Sequence, residues 1–279
     1  MKMRGQCGAT APGPLWSHLA GWRDLLVPVP ATDASRLDLE EGWPDRWLVT
    51  RRVGGGKVSR TVRELGRVPG GQGGPVRWFA WGREQGHRPG LQYLVSTGRH
   101  HGAESMEEAR LLLALDFSGD LVDVVSQPLR LRFTVASGKC REHTPDFLAV
   151  TRSGTWLIDV RPEPLIEDKD RESFAAAAEA ALACGWGYAV AARWREHVPS
   201  ALDALSSQRR PLSDLMGLRP GLLAAAGRPG ARFGEVAAAS GCEPVARAQL
   251  LHLIWHRKIG IDLSGPLADR SLLALGALR

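Results

Sequence analysis

Residues 141–162 read REHTPDFLAVTRSGTWLIDVRP, two apolar runs joined by a short Arg-Ser-Gly turn. Alternation of side chains along a strand predicts that these runs pair as an antiparallel hairpin inside a sheet. Each run also carries an aspartate, Asp146 and Asp159, and the second run is followed closely by Arg161. Carboxylates lose hydration in a buried hairpin, so this stretch calls for a nearby cation or a functional role.

Which of these polar side chains oppose each other across the hairpin depends on where the hairpin turns. Opposed residues in an antiparallel hairpin have a constant sum of residue numbers. A turn centred between residues 152 and 153 places Asp146 opposite Asp159, and a turn centred between residues 153 and 154 places it opposite Arg161. Both registers put the three side chains on one face. Hard oxygen ligands at this spacing favour Mg²⁺ or Mn²⁺, and a salt-bridged surface hairpin is the alternative.

A helix predicted over residues 105–117 offers a third carboxylate. Glu108 lies one turn before Leu112 and therefore approaches the apolar side of the helix more closely than Glu107. Glu104 is a neighbouring candidate. Ser105 and Glu108 also form an S-x-x-E capping box, which gives Glu108 a purely structural alternative.

Composition limits the class of protein. The 279 residues are 44% hydrophobic, enough for a sizeable core, and the four cysteines are far apart, without the C-x-x-C pairs of a zinc knuckle. No apolar run approaches the roughly 18 residues of a membrane span, so a cytoplasmic location and no membrane partner are expected. A net charge of +6 favours polyanionic partners.

The order of predicted elements indicates an α/β fold with a mixed sheet. Strand patterns occur in LVDVVSQ, PLRLRFTV, TPDFLAV, TWLIDV and WGYAVAARW, an alanine-rich helix covers residues 168–184, and RWLVTRRVGGGKVSRTVREL predicts a hairpin turning at residues 54–56. GGGK lacks the spacing of a phosphate-binding loop. A glycine-rich connector at residues 68–76 suggests three parts: an N-terminal extension (1–74), the α/β domain (75–197) and a helical domain (198–279).

The helical domain has the pattern of a winged helix-turn-helix, with a helix, a turn at Gly241, a second helix and a small hairpin. Its second helix is expected to carry a DNA-binding set, Arg247, His256, Arg257 and Lys258. His252 and His256 stand four residues apart and offer a metal pair as an alternative, although no H-E-x-x-H motif is present.

Together these motifs resemble a known enzyme core. A helix with a glutamate, a strand starting at PD, and a strand ending in acidic-x-basic are similar to the PD-(D/E)XK nuclease core. The segments GREQGHRPGLQY, ESMEEARLLLALDF, SQPLRL, HTPDFLA and WLIDVRP, in this order, look like the TnsA-like endonuclease subunits of heteromeric transposases. The resemblance runs from about residue 77 to 194 and implies a restriction-endonuclease-like sheet flanked by helices.

The resemblance implies a Mg²⁺- or Mn²⁺-dependent DNA endonuclease acting at transposon ends. Asp146 and Asp159 would hold the metal ion, Glu108 would complete the site, and Arg161 would stand where the family has a lysine. An arginine cannot act as a general base, so it would instead stabilise the phosphate, or Lys169 would reach the site, or the nuclease would be inactive.

Double-stranded DNA, an integrase-type transposase subunit and an AAA-type ATPase are the implied partners. Two other functions remain open at this point. One is a non-catalytic DNA-binding or assembly subunit led by the helical domain. The other is a restriction or repair nuclease without a transposase.

Overall fold

The structure is a computed structural model that describes residues 13–65, 73–77 and 89–276. Its strands are β1 Leu48–Val53, β2 Gly56–Thr61, β3 Gly90–Leu94, β4 Arg99–Ala103, β5 Leu121–Ser126, β6 Arg130–Thr134, β7 Cys140–His143, β8 Phe147–Thr151, β9 Gly154–Val160, β10 Gly187–Ala191, β11 Ile259–Ile261 and β12 Leu273–Leu275. Its α-helices are α1 Trp43–Arg46, α2 Val62–Leu65, α3 Met106–Phe117, α4 Asp168–Ala183, α5 Val198–Ser206, α6 Arg219–Ala226, α7 Phe233–Ala238 and α8 Glu243–Trp255, and 3-10 helices cover Trp22–Leu25, Ala34–Arg36 and Glu163–Leu165.

A four-stranded central sheet has the order β10-β9-β8-β5, in which β10 is parallel to β9 and the other pairs are antiparallel. The hairpin β8–β9 pairs Phe147 with Ile158 and Thr151 with Gly154. These pairs decide between the two registers left open by the sequence, because they centre the turn between residues 152 and 153. Continued by one step, the same register places Asp146 opposite Asp159.

Strand alternation explains how helices cover both faces of this sheet. Phe147 and Ile158 lie in one buried cluster with leucines of α3, whereas Leu148 and Leu157 lie in another cluster with the alanines of α4. The helix α4 packs against other elements on two sides. Its small alanine side chains allow the helix and the sheet to approach closely. The mixed α/β architecture expected from the sequence is confirmed.

A second sheet, here called the outer sheet, has the order β2-β1-β6-β7. Its inner face places Val49, Leu131 and Phe133 in the same cluster as the α4 alanines. The predicted hairpin of residues 46–65 is present and turns through Gly54 and Gly55, both with positive φ. The sequence predicted the strand β6, but not that it leaves the central sheet to pair with β1 and β7.

The N-terminal part is joined to the rest of the chain rather than separate from it. The strand β1 pairs with β6, and bridges link Leu37 to Val135 and Leu26 to Trp194. The boundary predicted at residue 74 therefore does not coincide with a break in the packing. The connector at residues 68–76 and the GREQGHRPGLQY motif lie partly outside the described residues.

The helices α7 and α8 and the hairpin β11–β12 follow the predicted order, and α6 precedes them. Gly241, with a φ of +78°, forms the turn between α7 and α8, and Arg232, just before α7, forms a bridge with Leu272 next to β12. The core of this part is shared with α3, whose Leu113 and Phe117 belong to the same buried cluster. Among the described residues, the helices are too short or too polar to cross a membrane.

Candidate active site

Asp146 lies immediately before β8 at one end of the central sheet. Its Oδ2 accepts a hydrogen bond of 2.7 Å from the backbone N–H of Val160 on β9, which fixes the carboxylate beside the neighbouring strand. Burial raises the pKa of Asp146 well above its usual range, and the nearby charges of Asp159 and Glu108 raise it further. Negative charge thus converges on this half-buried side chain.

Asp159 is almost fully buried, with 2% of its side chain exposed. Its Oδ1 lies 2.9 Å from Nε2 of His143 at the end of β7, and its Oδ2 accepts a hydrogen bond of 2.7 Å from the Tyr188 hydroxyl on β10. Three strands from two sheets therefore hold this carboxylate. Burial and the adjacent Asp159 raise the pKa of Tyr188 well above its usual range, so the phenol remains protonated and donates.

His143 and Tyr188 were missed in the sequence analysis. Burial lowers the pKa of His143, but Asp159 outweighs this effect, and the net direction is upward. Its ring also packs edge-on against Phe174 of α4, at 6.0 Å between ring centroids. A polar residue in the apolar run of β10 was the available signal for Tyr188. Nothing local indicated that β7 would bring His143 to the central sheet.

Glu108 is placed as the capping alternative predicted. Its Oε2 accepts from the backbone N–H of Glu104 at 2.8 Å, its Oε1 accepts from the Ser105 hydroxyl at 3.0 Å, and its own N–H donates to that hydroxyl oxygen at 3.2 Å. Burial raises its pKa. Its charge still acts on Asp146, whereas the carboxylate of Glu104 pairs with Arg77 at 2.8 Å. Capping and a contribution to the acidic site therefore coexist.

Arg161 is oriented differently from the sequence expectation. Its Nε donates to the carbonyl oxygen of Leu165 at 3.1 Å and lies 3.4 Å from Asp170 on α4, and 39% of its side chain is exposed. The strand ends at Val160, so strand alternation no longer determines the direction of the Arg161 side chain. Its expected place opposite or beside the two aspartates is corrected: the guanidinium is held by the start of α4.

Lys169 does not supply the missing cation either. Its ammonium group lies 2.7 Å from Glu167, and 63% of its side chain is exposed. Among the described residues, neither Asp146 nor Asp159 forms an ion pair with a lysine or arginine. In the described part of the chain, the two carboxylates contact a histidine, a phenol and a backbone N–H.

Within the described ranges, no group of three or more His, Cys, Asp and Glu side chains is arranged to hold a metal ion. Around Asp146, Asp159 and Glu108, two sets of hydrogen bonds account for this absence. Both Glu108 oxygens are used in the helix cap, and both Asp159 oxygens accept or share hydrogen bonds with His143 and Tyr188. The predicted three-carboxylate ligand set is therefore reduced to a pair, Asp146 and Asp159, with Glu108 behind it.

The residues predicted to bind DNA are largely engaged within the protein. Arg247 pairs with Glu243 at 2.8 Å and with Asp269 at 2.7 Å, so two carboxylates compensate its charge. His256 Nε2 lies 3.2 Å from the carbonyl oxygen of Arg209. These contacts place both side chains in a structural network at the surface of the C-terminal part.

Arg257 is a structural residue by its contacts. Its guanidinium donates to the carbonyl oxygens of His18 and Ala20, at 2.8 and 2.9 Å, and so connects α8 to the N-terminal segment. Its guanidinium is thus used within the protein, and a role of Arg257 as a DNA contact stays a prediction. Lys258 is half-buried between α8 and β11. The rings of His252 and His256 lie 4.3 Å apart between centroids, and one nitrogen of each is engaged with a backbone carbonyl oxygen, His252 Nδ1 with that of Gln208 at 2.8 Å.

No protein-family model matches this chain, and no curated protein matches it either.

If Asp146 and Asp159 hold Mg²⁺ or Mn²⁺, as proposed below, Tyr188→Phe is expected to weaken the affinity for the ion by about 10- to 100-fold, because the phenol orients Asp159. The change also leaves a buried carboxylate oxygen with one donor fewer, which costs roughly 1–3 kcal/mol of folding stability. Isothermal calorimetry measures the first effect and denaturant unfolding the second. Tyr93→Phe, on β3, is the matched control. Equal metal affinity in Tyr188→Phe and wild type would show that Asp159 needs no such support.

Proposed function

We propose that the chain is a divalent-metal-dependent DNA endonuclease that hydrolyses phosphodiester bonds. The observation that carries this proposal is the pair Asp146 and Asp159, opposed on adjacent strands and without an arginine or lysine ion pair in the described part of the chain. Two carboxylates in this arrangement, one buried and one half-buried, repel each other, which destabilises the fold unless a cation binds. Groups whose charges destabilise the fold locally in this way are typical of functional sites.

The order of elements around the pair supports the same proposal. A helix (α3), an antiparallel three-strand unit (β5, β8, β9), a helix (α4) and a parallel strand (β10) form the central sheet and its two covers. This order agrees with the restriction-endonuclease-like core that the sequence resembles, and in both the acidic residues stand at the start and end of neighbouring strands.

The donor set is suitable for Mg²⁺ or Mn²⁺. Mg²⁺ is commonly held by one or two carboxylates, with water and substrate phosphate as the remaining ligands, so a pair is sufficient. Asp146 and Asp159 would hold the ion, and Glu108 would add negative charge from behind. The bound ion would acidify a coordinated water and reduce the charge on the phosphate.

The protein residues then have distinct tasks. The Val160 N–H orients Asp146, and His143 and Tyr188 orient Asp159, so both carboxylates are fixed before substrate arrives. Glu108 holds the start of α3 at the same end of the sheet. Arg161 and Lys169 have no part in this arrangement, because each is paired with an acidic residue of the α4 region.

The resemblance to TnsA-like subunits gives this proposal its substrate. We propose double-stranded DNA at a transposon end, cut together with an integrase-type transposase and under an AAA-type ATPase. The C-terminal helices and hairpin, with the additional Arg232–Leu272 bridge, support a winged-helix-like unit there. Neighbouring genes for the two partners would support this reading over a stand-alone restriction or repair nuclease.

Nicking of plasmid DNA that carries the transposon end tests the proposal. Wild type should cut with Mg²⁺ or Mn²⁺ in the presence of the partner transposase, and EDTA should prevent cutting. Asp146→Asn should be inactive, whereas Asp203→Asn, at an exposed position of α5, should cut normally. Undiminished cutting by Asp146→Asn would contradict the assignment of the site.

A non-catalytic DNA-binding or assembly subunit is the second candidate. The observation that favours it is that, within the described ranges, no group of three or more His, Cys, Asp and Glu side chains is arranged to hold a metal ion. Calorimetric titration separates the candidates without any DNA. Binding of Mn²⁺ that disappears in Asp146→Asn supports the nuclease, and no binding by wild type supports the second candidate.

Arg161→Ala is expected to lower the cleavage rate less than about tenfold, since an exposed ion pair contributes only up to about 1 kcal/mol. The guanidinium bonds to Leu165 and Asp170 rather than to the acidic pair. Single-turnover cleavage with saturating Mg²⁺ measures the effect, and Arg193→Ala, whose partner is Glu163, is the control. A loss of a hundredfold or more would mean that Arg161 turns onto the phosphate.

A further inference from the structure

The exposed face of the outer sheet carries an unusual set of side chains. Strand pairing places on this face the residues Leu48, Thr50, Arg52, Lys57, Ser59, Thr61, Arg130, Arg132, Thr134, Cys140 and Glu142. The opposite face holds the buried Val49, Leu131 and Phe133. The first set, called the basic face below, therefore faces away from the core.

Charge on the basic face is one-sided. Four of its residues are cations, Arg52, Lys57, Arg130 and Arg132, and Glu142 is the one acidic member of the set. Glu142 lies 3.4 Å from Arg130, and both side chains are about half exposed, so this pair compensates little of the charge. Hydroxyl groups fill the space between the cations, with Thr50 and Ser59 bonded to each other at 2.8 Å.

One pair on this face opposes the stability of the sheet. Arg52 lies directly opposite Lys57 in the β1–β2 register. Like charges at directly opposed positions destabilise a sheet, because their side chains lie next to each other on one surface. Lys57 is exposed, and Arg52 is half-buried with its Nε buried and without a hydrogen-bond partner among the described residues. A bound anion would remove the repulsion.

The spacing of the cations fits a row of phosphates. Directly opposed residues on neighbouring strands stand about 5 Å apart, and diagonal neighbours or residues two positions apart on one strand stand about 7 Å apart. Arg130 and Arg132 are two positions apart on β6, and Arg52 is diagonal to Arg130 across β1 and β6. Several phosphates along a nucleic-acid backbone can thus be contacted together, with hydroxyl donors between them.

The C-terminal residues predicted for DNA do not offer a comparable surface. Arg247 is compensated by Glu243 and Asp269, and Arg257 donates to backbone carbonyls of the N-terminal segment. We propose that the basic face is a docking surface for the phosphate backbone of double-stranded DNA. This inference rests on the proposed function for its choice of DNA, and it assigns DNA positioning to the outer sheet.

Fluorescence anisotropy with a duplex of about 25 base pairs and random sequence tests the proposal in EDTA, so that cleavage plays no part. Each phosphate contact contributes about 0.9 to the slope of log affinity against log salt, so Arg52→Gln/Lys57→Gln should reduce the slope by about 1.8. Its affinity should fall roughly tenfold at moderate salt. Lys57→Gln alone, which keeps the Arg52 bond to the Gly55 carbonyl, should show about half the change in slope.

The control variant Arg99→Gln/Arg152→Gln removes the same charge at the other end of the central sheet from Asp146. This control should change the slope of log affinity against log salt by less than half as much as Arg52→Gln/Lys57→Gln does. An equal change in both double variants would overturn the proposal in favour of net charge. A larger change in Arg247→Gln/Lys258→Gln would overturn it in favour of α8, and equally strong competition by polyglutamate would overturn the assignment to phosphate. If the protein binds DNA through the basic face as expected but does not cut it, the result contradicts only the proposed nuclease activity.

Discussion

Asp146→Asn is expected to abolish Mg²⁺-dependent DNA cleavage and, at the same time, to stabilise the metal-free protein. The amide keeps the size of the side chain and can still accept the hydrogen bond from the Val160 N–H. It removes one of the two opposed charges, and with it a ligand for the metal ion. The expected loss of cleavage is roughly a thousandfold or more, equivalent to about 4 kcal/mol in activation free energy.

The gain in stability follows from the raised pKa of Asp146, caused first by burial and then by Asp159 and Glu108. Because the folded-state pKa lies above the unfolded-state value, ionisation of this carboxyl opposes folding. The penalty is absent at low pH, where the group is protonated in both states. It grows as pH rises from about 4 and is complete once pH exceeds the folded-state pKa.

At neutral pH in EDTA the variant should therefore have a larger free energy of unfolding and a higher Tm than wild type. The difference in stability between Asp146→Asn and wild type should narrow as pH falls toward about 4. Excess Mn²⁺ should raise the Tm of wild type but not that of the variant, because only wild type binds the ion. Asp203→Asn provides the control for removal of a carboxylate. A destabilised, metal-responsive Asp146→Asn protein would contradict the acidic-pair interpretation.

The local part of the site could be predicted from the sequence. Strand alternation in residues 141–162 required Asp146 and Asp159 to share a face, and the observed register brings them opposite each other. The capping box was equally local, because Ser105 and Glu108 are three residues apart. Such features depend on φ/ψ periodicity and on neighbours in sequence.

The parts that could not be predicted depend on non-local packing. His143 reaches Asp159 because β7 belongs to another sheet, and no pattern in its neighbourhood indicates that pairing. Arg161 lies beyond the end of β9, where side-chain direction is determined by the contact with Asp170 rather than by alternation. The charge of Arg257 suggested a nucleic-acid contact, but its positive φ and its backbone acceptors make it a connector.

Phe117→Ala is expected to destabilise the whole chain by about 3–5 kcal/mol, the usual cost of removing a buried aromatic ring. Phe117 is 1% exposed at the end of α3, and its ring packs against Trp255 of α8 at 5.3 Å between centroids. The same cluster contains Leu25 from the N-terminal segment and Val236 from α7. Three regions that the sequence analysis divided at residues 74 and 197 thus share one core.

A shared core gives this substitution a distinctive signature. If residues 198–279 folded independently, Phe117→Ala would shift one unfolding transition and leave another in place. The common cluster instead predicts that fluorescence of the ten tryptophans and circular dichroism shift together to lower denaturant. Phe117→Leu should lose less than half as much stability, because most of the volume remains. Leu215→Ala, at a position 93% exposed, should change it by no more than about 0.5 kcal/mol. A second, unshifted transition in Phe117→Ala would show that the C-terminal helices are a separate folding unit.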